Sequence, residues 1–228
     1  MKTYKNSNTD AEYNIGLEEK LFEEFNIIEE RINDSELFML WRNDKSVIIG
    51  NNQIAGNEVD IDFAKANGIN IVRRKTGGGA VYHDLGNVNY TYISKRINEY
   101  GNYHALSQPV INFLKTLGIN AHHIGNNDIG IYDSGVEKKI SGTAQRVKDG
   151  YILHHGTLMF DVDLSILERV LTPDPAKFKN KGIKSIRSRV CNIADFNAIN
   201  RINMTRDEFW NTICDYFGAV EEINILSS

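Results

Sequence analysis

The sequence predicts an α+β protein built on mixed, mainly antiparallel sheets flanked by helices, and two observations lead there. Strand-like and helix-like runs gather in blocks more than they alternate, which disfavours a doubly wound parallel sheet. Between residues 69 and 93, and again between 120 and 161, short β-rich runs are broken by turn residues such as Asp149-Gly150.

Each element has its own local reason. Residues 10–25 place Tyr13, Leu17, Leu21, Phe22 and Phe25 at helical spacing with acids on the other face, so an amphipathic helix is expected. Residues 36–41 and 46–49 are two β-rich runs separated by Arg-Asn-Asp-Lys and read as a hairpin. Residues 58–66 read as a short helix stopped by Asn67-Gly68. Strands follow at 69–73, 80–83 and 88–93. The stretch 103–117 sets Leu106, Val110, Phe113, Leu114 and Leu117 on one helical face, with Gly118 at its end. Residues 120–161 return to strands, and 164–171 form a short helix closed by Pro173 and Pro175. Thr205 opens the last helix with a Thr-x-x-Glu capping box to Glu208, and Gly218 ends it.

Composition bounds the function. The 228 residues suit one large domain, and a formal charge of -4 gives no global attraction to nucleic acid or to an anionic membrane. No apolar run approaches the length of a membrane span, and the first residues lack the apolar stretch of a signal peptide, so a cytoplasmic protein is expected. The only two cysteines, Cys191 and Cys214, fit no CxxC pattern and read as packing residues. One stretch, 177–189, holds six basic residues and no acid. It reads either as a solvated loop or as a segment that orders on an anionic ligand or acidic partner. An acidic overall balance and the lack of an aromatic platform count against nucleic acid there.

Residues 73–90, RRKTGGGAVYHDLGNVNY, carry the most chemistry. Three consecutive glycines let a ligand approach backbone N–H groups and permit positive φ. Two arginines and a lysine precede them, so fixed positive charge lies beside amides ready for an anion. A plain hairpin turn needs only one glycine, and three cost folding entropy that such a turn avoids. A second segment, KKISGTAQR at 138–146, places an ammonium at the entrance of a strand whose small residues leave room for a ligand.

These segments, with NIGLEEKLF at 14–22, IIGNNQ at 48–53, GNNDI at 125–129, HHGTLMF at 154–160 and KGIKSIRSRVCNI at 181–193, resemble the lipoate–protein ligase A family in order and spacing. The resemblance implies a biotin/lipoate ligase-like catalytic domain over 1–228. It also implies a two-step reaction, in which lipoate and ATP give lipoyl-AMP and the lipoyl group passes to a lysine of an acceptor. Carried over by position, Lys139 is the catalytic lysine and also contacts the adenylate. Arg74, Gly77, Gly78, Gly79, Ala80, Val81 and Tyr82 would hold the ATP and adenylate phosphate, and His155 would line the acyl channel. Mg²⁺ is expected with ATP, its protein ligands unnamed. The implied partners are an apo lipoyl domain of a dehydrogenase E2 or a glycine-cleavage H protein. Many members carry a further small C-terminal domain that this sequence leaves no room for: either this form lacks it, a separate subunit supplies it, or the sequence was cut, and in the second case an accessory subunit is a further partner for activation.

The nearest rival is an octanoyl or lipoyl transferase of the same fold that works through an acyl-cysteine. The stretch GNNDIGIYDSG has no cysteine where such transferases, by resemblance, carry theirs. A non-catalytic lipoyl-binding module is a second alternative, disfavoured by the presence of Lys139, Arg74 and the full glycine run. A biotin ligase has a different glycine segment.

Overall fold

The computed structural model describes residues 1–133, 135–172, 190–196 and 204–221. In chain order the elements are β1 (Lys2–Asn6), α1 (Ala11–Glu23), α2 (Phe25–Ile32), β2 (Glu36–Trp41), β3 (Ser46–Ile49), α3 (Ala55–Glu58), α4 (Ile61–Ala66), β4 (Asn70–Arg73), β5 (Val81–His83) and β6 (Asn87–Ser94). They continue with a short 3-10 turn (Ile97–Glu99), then α5 (Tyr103–Thr116), β7 (His122–Ile124), β8 (Asp128–Asp133), β9 (Val136–Lys148), β10 (Tyr151–Met159), α6 (Leu164–Val170), α7 (Ile193–Phe196), α8 (Arg206–Phe217) and β11 (Val220–Glu221).

Eight strands form one sheet in the order β11-β1-β2-β6-β10-β9-β8-β7, and three form a second in the order β4-β3-β5. Antiparallel pairing dominates; among the described strands β1 runs parallel to β2 and β11, and β3 to β4. The mixed, mainly antiparallel α+β class is as the sequence predicts.

Period-two alternation separates two faces of the large sheet. Phe38, Leu40, Val88, Tyr90, Ile152 and Leu158 pack on one side against Val110, Phe113 and Leu114 of α5 and Phe209 and Ile213 of α8. Phe160 and Phe209 stack there with ring centroids 4.2 Å apart. On the opposite face Leu37, Met39, Trp41, Ile93 and Leu153 meet Leu17, Leu21 and Phe22 of α1, Phe25 and Ile28 of α2, and Ile48 of the small sheet. A third cluster joins the far side of the small sheet (Val47, Ile49, Tyr82) to Ala64 of α4 and to Leu167 and Val170 of α6.

Two expectations are corrected. Residues 36–41 and 46–49 are not a hairpin: β2 pairs with β1 and β6, whereas β3 joins the other sheet between β4 and β5. Four connecting residues suffice for a hairpin, but each strand instead takes partners on both sides from elsewhere in the chain. The helix expected over 58–66 is two pieces, because Val59 is extended (φ -134°, ψ 133°) and Asp60 restarts the helix by accepting from Phe63 N–H. The strand β1 and the helix α2 were not foreseen. The basic stretch 177–189 and the prolines Pro173 and Pro175 lie outside the described residues.

The last helix begins as its sequence dictates. Thr205 Oγ1 accepts from Glu208 N–H while the Glu208 carboxylate accepts from Thr205 N–H at 2.7 Å, and Gly218 closes the helix in the left-handed region at φ 61°. Thr205→Ala is expected to lower unfolding stability by about 1 kcal/mol, the usual worth of a side-chain cap. A urea midpoint unchanged from wild type would contradict this.

Candidate active site

A cavity with an empty volume of about 640 Å³, partly open to solvent, lies between the α1-facing side of the large sheet and the edge of the small one. Its lining alternates in character: Ile15, Trp41, Ile48 and Val81 are apolar, while Lys139, His155, His83, Asn89, Asn127 and Arg74 bring polar groups. Strand register explains the floor. Trp41 pairs with Asn89, Asn89 with Thr157, and the next step falls on Gly142, so one row of lining residues crosses four strands.

Arg74 organises the glycine run. It is 6 % exposed. Its Nε donates to Thr76 Oγ1 (2.9 Å), Nη1 to Ile48 O (3.0 Å), and Nη2 to Gly77 O (2.8 Å) and Gly79 O (2.9 Å). Burial pushes its pKa down to about 10, opposed by the charge of Glu18, so it remains a cation at neutral pH. Of the three glycines only Gly78 has positive φ (99°), and a Cβ there would meet Arg74 Nη2 at 2.9 Å. A Cβ on Gly50, from the IIGNNQ segment, would fall 2.3 Å from Gly78 O. Both positions therefore need glycine for close approach.

A directed hydrogen-bond chain ties this loop to α1. Glu18, 4 % exposed, accepts from Thr91 Oγ1 (2.5 Å) and from His155 Nδ1 (2.9 Å). Since an ionised carboxylate only accepts, His155 Nδ1 donates to it, and His155 Nε2 meets Thr76 Oγ1, itself accepting from Arg74, at 2.8 Å. Trp41 Nε1 donates to Thr91 at 2.9 Å and completes the chain.

Lys139 reaches the cavity through a strand irregularity. Ala144 is opposite His155, so regular alternation along β9 would put residue 140 toward the cavity and residue 139 away from it. Instead the register shifts between Ile129 and Gly130, which pair with Ser141 and Lys139. Ile140 is the extra residue of a β-bulge; it is fully buried in the α5/α8 core while Lys139 lines the cavity. Lys139 Nζ pairs with Asp128 Oδ1 at 2.8 Å.

The residues singled out from sequence divide here. Arg74, Gly78, Gly79, Ala80, Val81, Lys139 and His155 line one cavity. Gly77 does not, and its carbonyl binds Arg74 instead. Tyr82 does not line it either. It is 2 % exposed and packs in the third cluster, because on β5 Val81 and His83 take the cavity side. His83, Asn89, Thr76, Glu18 and Asp128 were not foreseen as site residues, although each lies in a segment the sequence had marked. Neither cysteine lines the cavity. Both are buried, and burial pushes the thiols up to about 12 for Cys191 and about 11 for Cys214.

The family model described as the lipoyl protein ligase A/B catalytic domain matches residues 10–218. A lipoate–protein ligase 1 of Staphylococcus aureus is 38% identical over 198 residues, covering 86% of this chain and 57% of that protein. The structure of a bi-partite lipoate protein ligase from Thermoplasma acidophilum, solved in work on that system and its E2 lipoyl domain, superposes with a TM-score of 0.70. It is 32% identical and covers 98% of this chain and 87% of that one. A lipoate-protein ligase A bound with ATP also superposes at 0.70, with 28% identity over 98% of this chain and 89% of that one. The chain spans about half the length of the first curated relatives it matches.

Two imidazoles give the structure a pH dependence. Burial, with nearby positive charge, pushes His83 down to about 3; burial does the same to His154, under the opposite face of the sheet. Both are depressed below the unfolded value of about 6.5, so the unfolded chain binds more protons in the window between. Their contribution is complete above pH 6.5 and is lost as pH falls toward 3. Urea midpoints measured from pH 7 to pH 4 are expected to drop, with a slope of up to about 1.4 kcal/mol per pH unit from each histidine. Stability that is flat over that range would contradict the buried neutral state.

Proposed function

The chain belongs to the lipoyl protein ligase A/B catalytic-domain family, and from that premise we propose that it joins a lipoyl group to an acceptor lysine through an acyl-adenylate. A carboxylate oxygen of lipoate attacks the α-phosphorus of ATP, and pyrophosphate leaves. The ε-amine of the acceptor lysine then attacks the acyl carbon, AMP leaves with the bonding pair, and the amine gives up a proton.

The observation that carries this reading is the meeting of an apolar trough, an ammonium and the Arg74-centred glycine loop in one cavity. Lys139 is the catalytic residue: its Nζ bridges carbonyl and phosphate oxygens as negative charge develops. Asp128 fixes where that Nζ stands beforehand. Gly78, Gly79, Ala80 and Val81 flank the adenylate, Arg74 shapes the loop that holds it, and His155 faces the acyl chain. Among the described residues no group of three or more His, Cys, Asp or Glu could hold a metal. Mg²⁺ accompanying ATP would supply neutralisation of the phosphate charge.

The acyl-cysteine route is disfavoured by two thiols that are buried, raised in pKa and away from the cavity. A dehydrogenase E2 lipoyl domain is the acceptor we favour over a glycine-cleavage H protein, supported by the bi-partite archaeal system. The same likeness supports a separate accessory partner for activation. No helix among the described residues is long and apolar enough to cross a membrane, in keeping with work in the cytoplasm.

The test is mass spectrometry of an apo acceptor domain mixed with this 228-residue chain, given either lipoate plus ATP or premade lipoyl-adenylate. Transfer from the adenylate is expected to be fast. Activation is expected to be slow without a partner, because two anions must be positioned against their repulsion, whereas the adenylate arrives joined. Equal, fast rates would show that the chain activates lipoate unaided, and no transfer from either source would refute the reading. Lys139→Ala should slow transfer by about two to three decades through loss of one charge-assisted contact in the transition state. Lys138→Ala, one position along β9 and outside the cavity lining, should remain near wild type. Equal effects of the two would remove Lys139 from its role.

A further inference from the structure

We propose that the open face of β7, β8 and β9 beyond Lys139 docks the acceptor domain, with the Tyr132–His122 ring stack as its anchor and Glu137 taking a basic group near the target lysine. This deepens the function above and rests on it.

Strand register puts these residues on the catalytic lysine's side of the sheet. His122 is opposite Gly130, and Gly130 is opposite Lys139, so one row runs from the β7 edge to the ammonium. Tyr132 and Glu137 are opposite each other one step along the same face, and Ile124 and Asp128 form the step on the other side. Ile129 and Ile131 alternate away into the α5 core. Because the bulge at Ile140 changes the side on which odd-numbered residues of β9 lie, Glu137 follows Lys139 onto this face.

The face changes character at Lys139. From β2 to β10 it is covered by α1, α2 and the small sheet. Beyond Lys139 none of the three apolar clusters draws a residue from it among the described residues. Tyr132 is 56% exposed, and the Glu137 side chain is 45% exposed. The surface is nonetheless held by its own contacts. Tyr132 and His122 stack with centroids 4.8 Å apart at 18°, and Glu137 Oε1 accepts from His122 Nε2 at 3.0 Å. A Cβ on Gly130 would fall 2.7 Å from Lys138 O and 3.0 Å from Ile124 Cδ1, so the middle of the row stays flat. A tyrosine held this way offers a partner protein large contact area at little entropic cost.

Reach identifies the partner. The acceptor amine must come to the acyl carbon held at Lys139, and a lysine side chain extends only about 6 Å from its Cα. Two strand spacings, about 10 Å, separate Lys139 from His122. A carrier that brings its amine in over the uncovered side therefore sets its own surface on Tyr132, His122 and Glu137. Glu137 supplies an acid where a cationic side chain has to arrive.

The experiment titrates the 228-residue chain with an apo lipoyl acceptor domain in the absence of adenylate, so that binding is read without reaction. Transfer from premade lipoyl-adenylate is then measured over a range of acceptor concentrations. Tyr132→Ser and, separately, Glu137→Lys are expected to raise both Kd and KM for the acceptor by about tenfold, the usual effect of losing an anchor. Affinity for the adenylate and kcat at saturating acceptor should stay at wild-type values. Tyr13→Ser, which removes a similarly exposed tyrosine (52%) from α1, should behave as wild type. Both tested side chains are exposed, so neither substitution opens the core. Unchanged Kd and KM in both variants would overturn the docking face and leave the transfer reaction intact. A fall in kcat or in adenylate affinity with KM unmoved would also overturn it, since the face would then serve the small ligand. Binding that depends on Tyr132 without any transfer by wild type would uphold the docking face and overturn the reaction proposed above.

Discussion

A guanidinium shut away from water must find acceptors for its N–H groups, and that demand on Arg74 shapes the centre of this molecule. It takes the carbonyls of Ile48, Gly77 and Gly79 and the hydroxyl of Thr76. The glycine run therefore wraps around a side chain and is not free to sample turns. The positive φ of Gly78 and the tight approach of Gly50 follow from that wrapping. The glycines are needed where chain meets chain, and the loop arrives at a ligand already formed.

The compensating charge lies in another element. Glu18 of α1 is joined to Arg74 through His155 and Thr76, and to Trp41 through Thr91. Helix α1, strands β2, β6 and β10 and the loop ahead of β5 thus share one polar chain. Buried networks of this kind are favourable only when complete. That makes the walls of the cavity interdependent, since a change at one wall leaves a buried group unmatched at another.

The sequence is legible where structure is decided locally. The Thr205–Glu208 box and the stop at Gly218 depend on residues a few positions apart. It is illegible where the deciding partner is remote. β2 and β3 look like a hairpin because strand propensity says nothing about which edge a strand will join. Glu18 sits in a run of two glutamates on an amphipathic helix and resembles a solvated acid; only its partners on β6 and β10 bury it. Tyr82 and His83 show the same limit at finer scale, since a strand of three residues does not declare which of its faces is inward.

The bulge at Ile140 carries a consequence for how this protein can change in length. On the β10 side of it, even-numbered positions of β9 face α1; on the other side, Lys139 does. The ammonium therefore stands in the cavity because of a count of residues as much as because of its own identity. Deleting Ile140 would leave Ser141 and Lys139 consecutive in a regular ladder, with the lysine still on the cavity side. Straightening the strand with Ile140 kept would turn the lysine into the opposite core. A relative one residue shorter here can therefore keep its lysine in place by losing the bulge, a compensation invisible to any comparison that scores residues one column at a time.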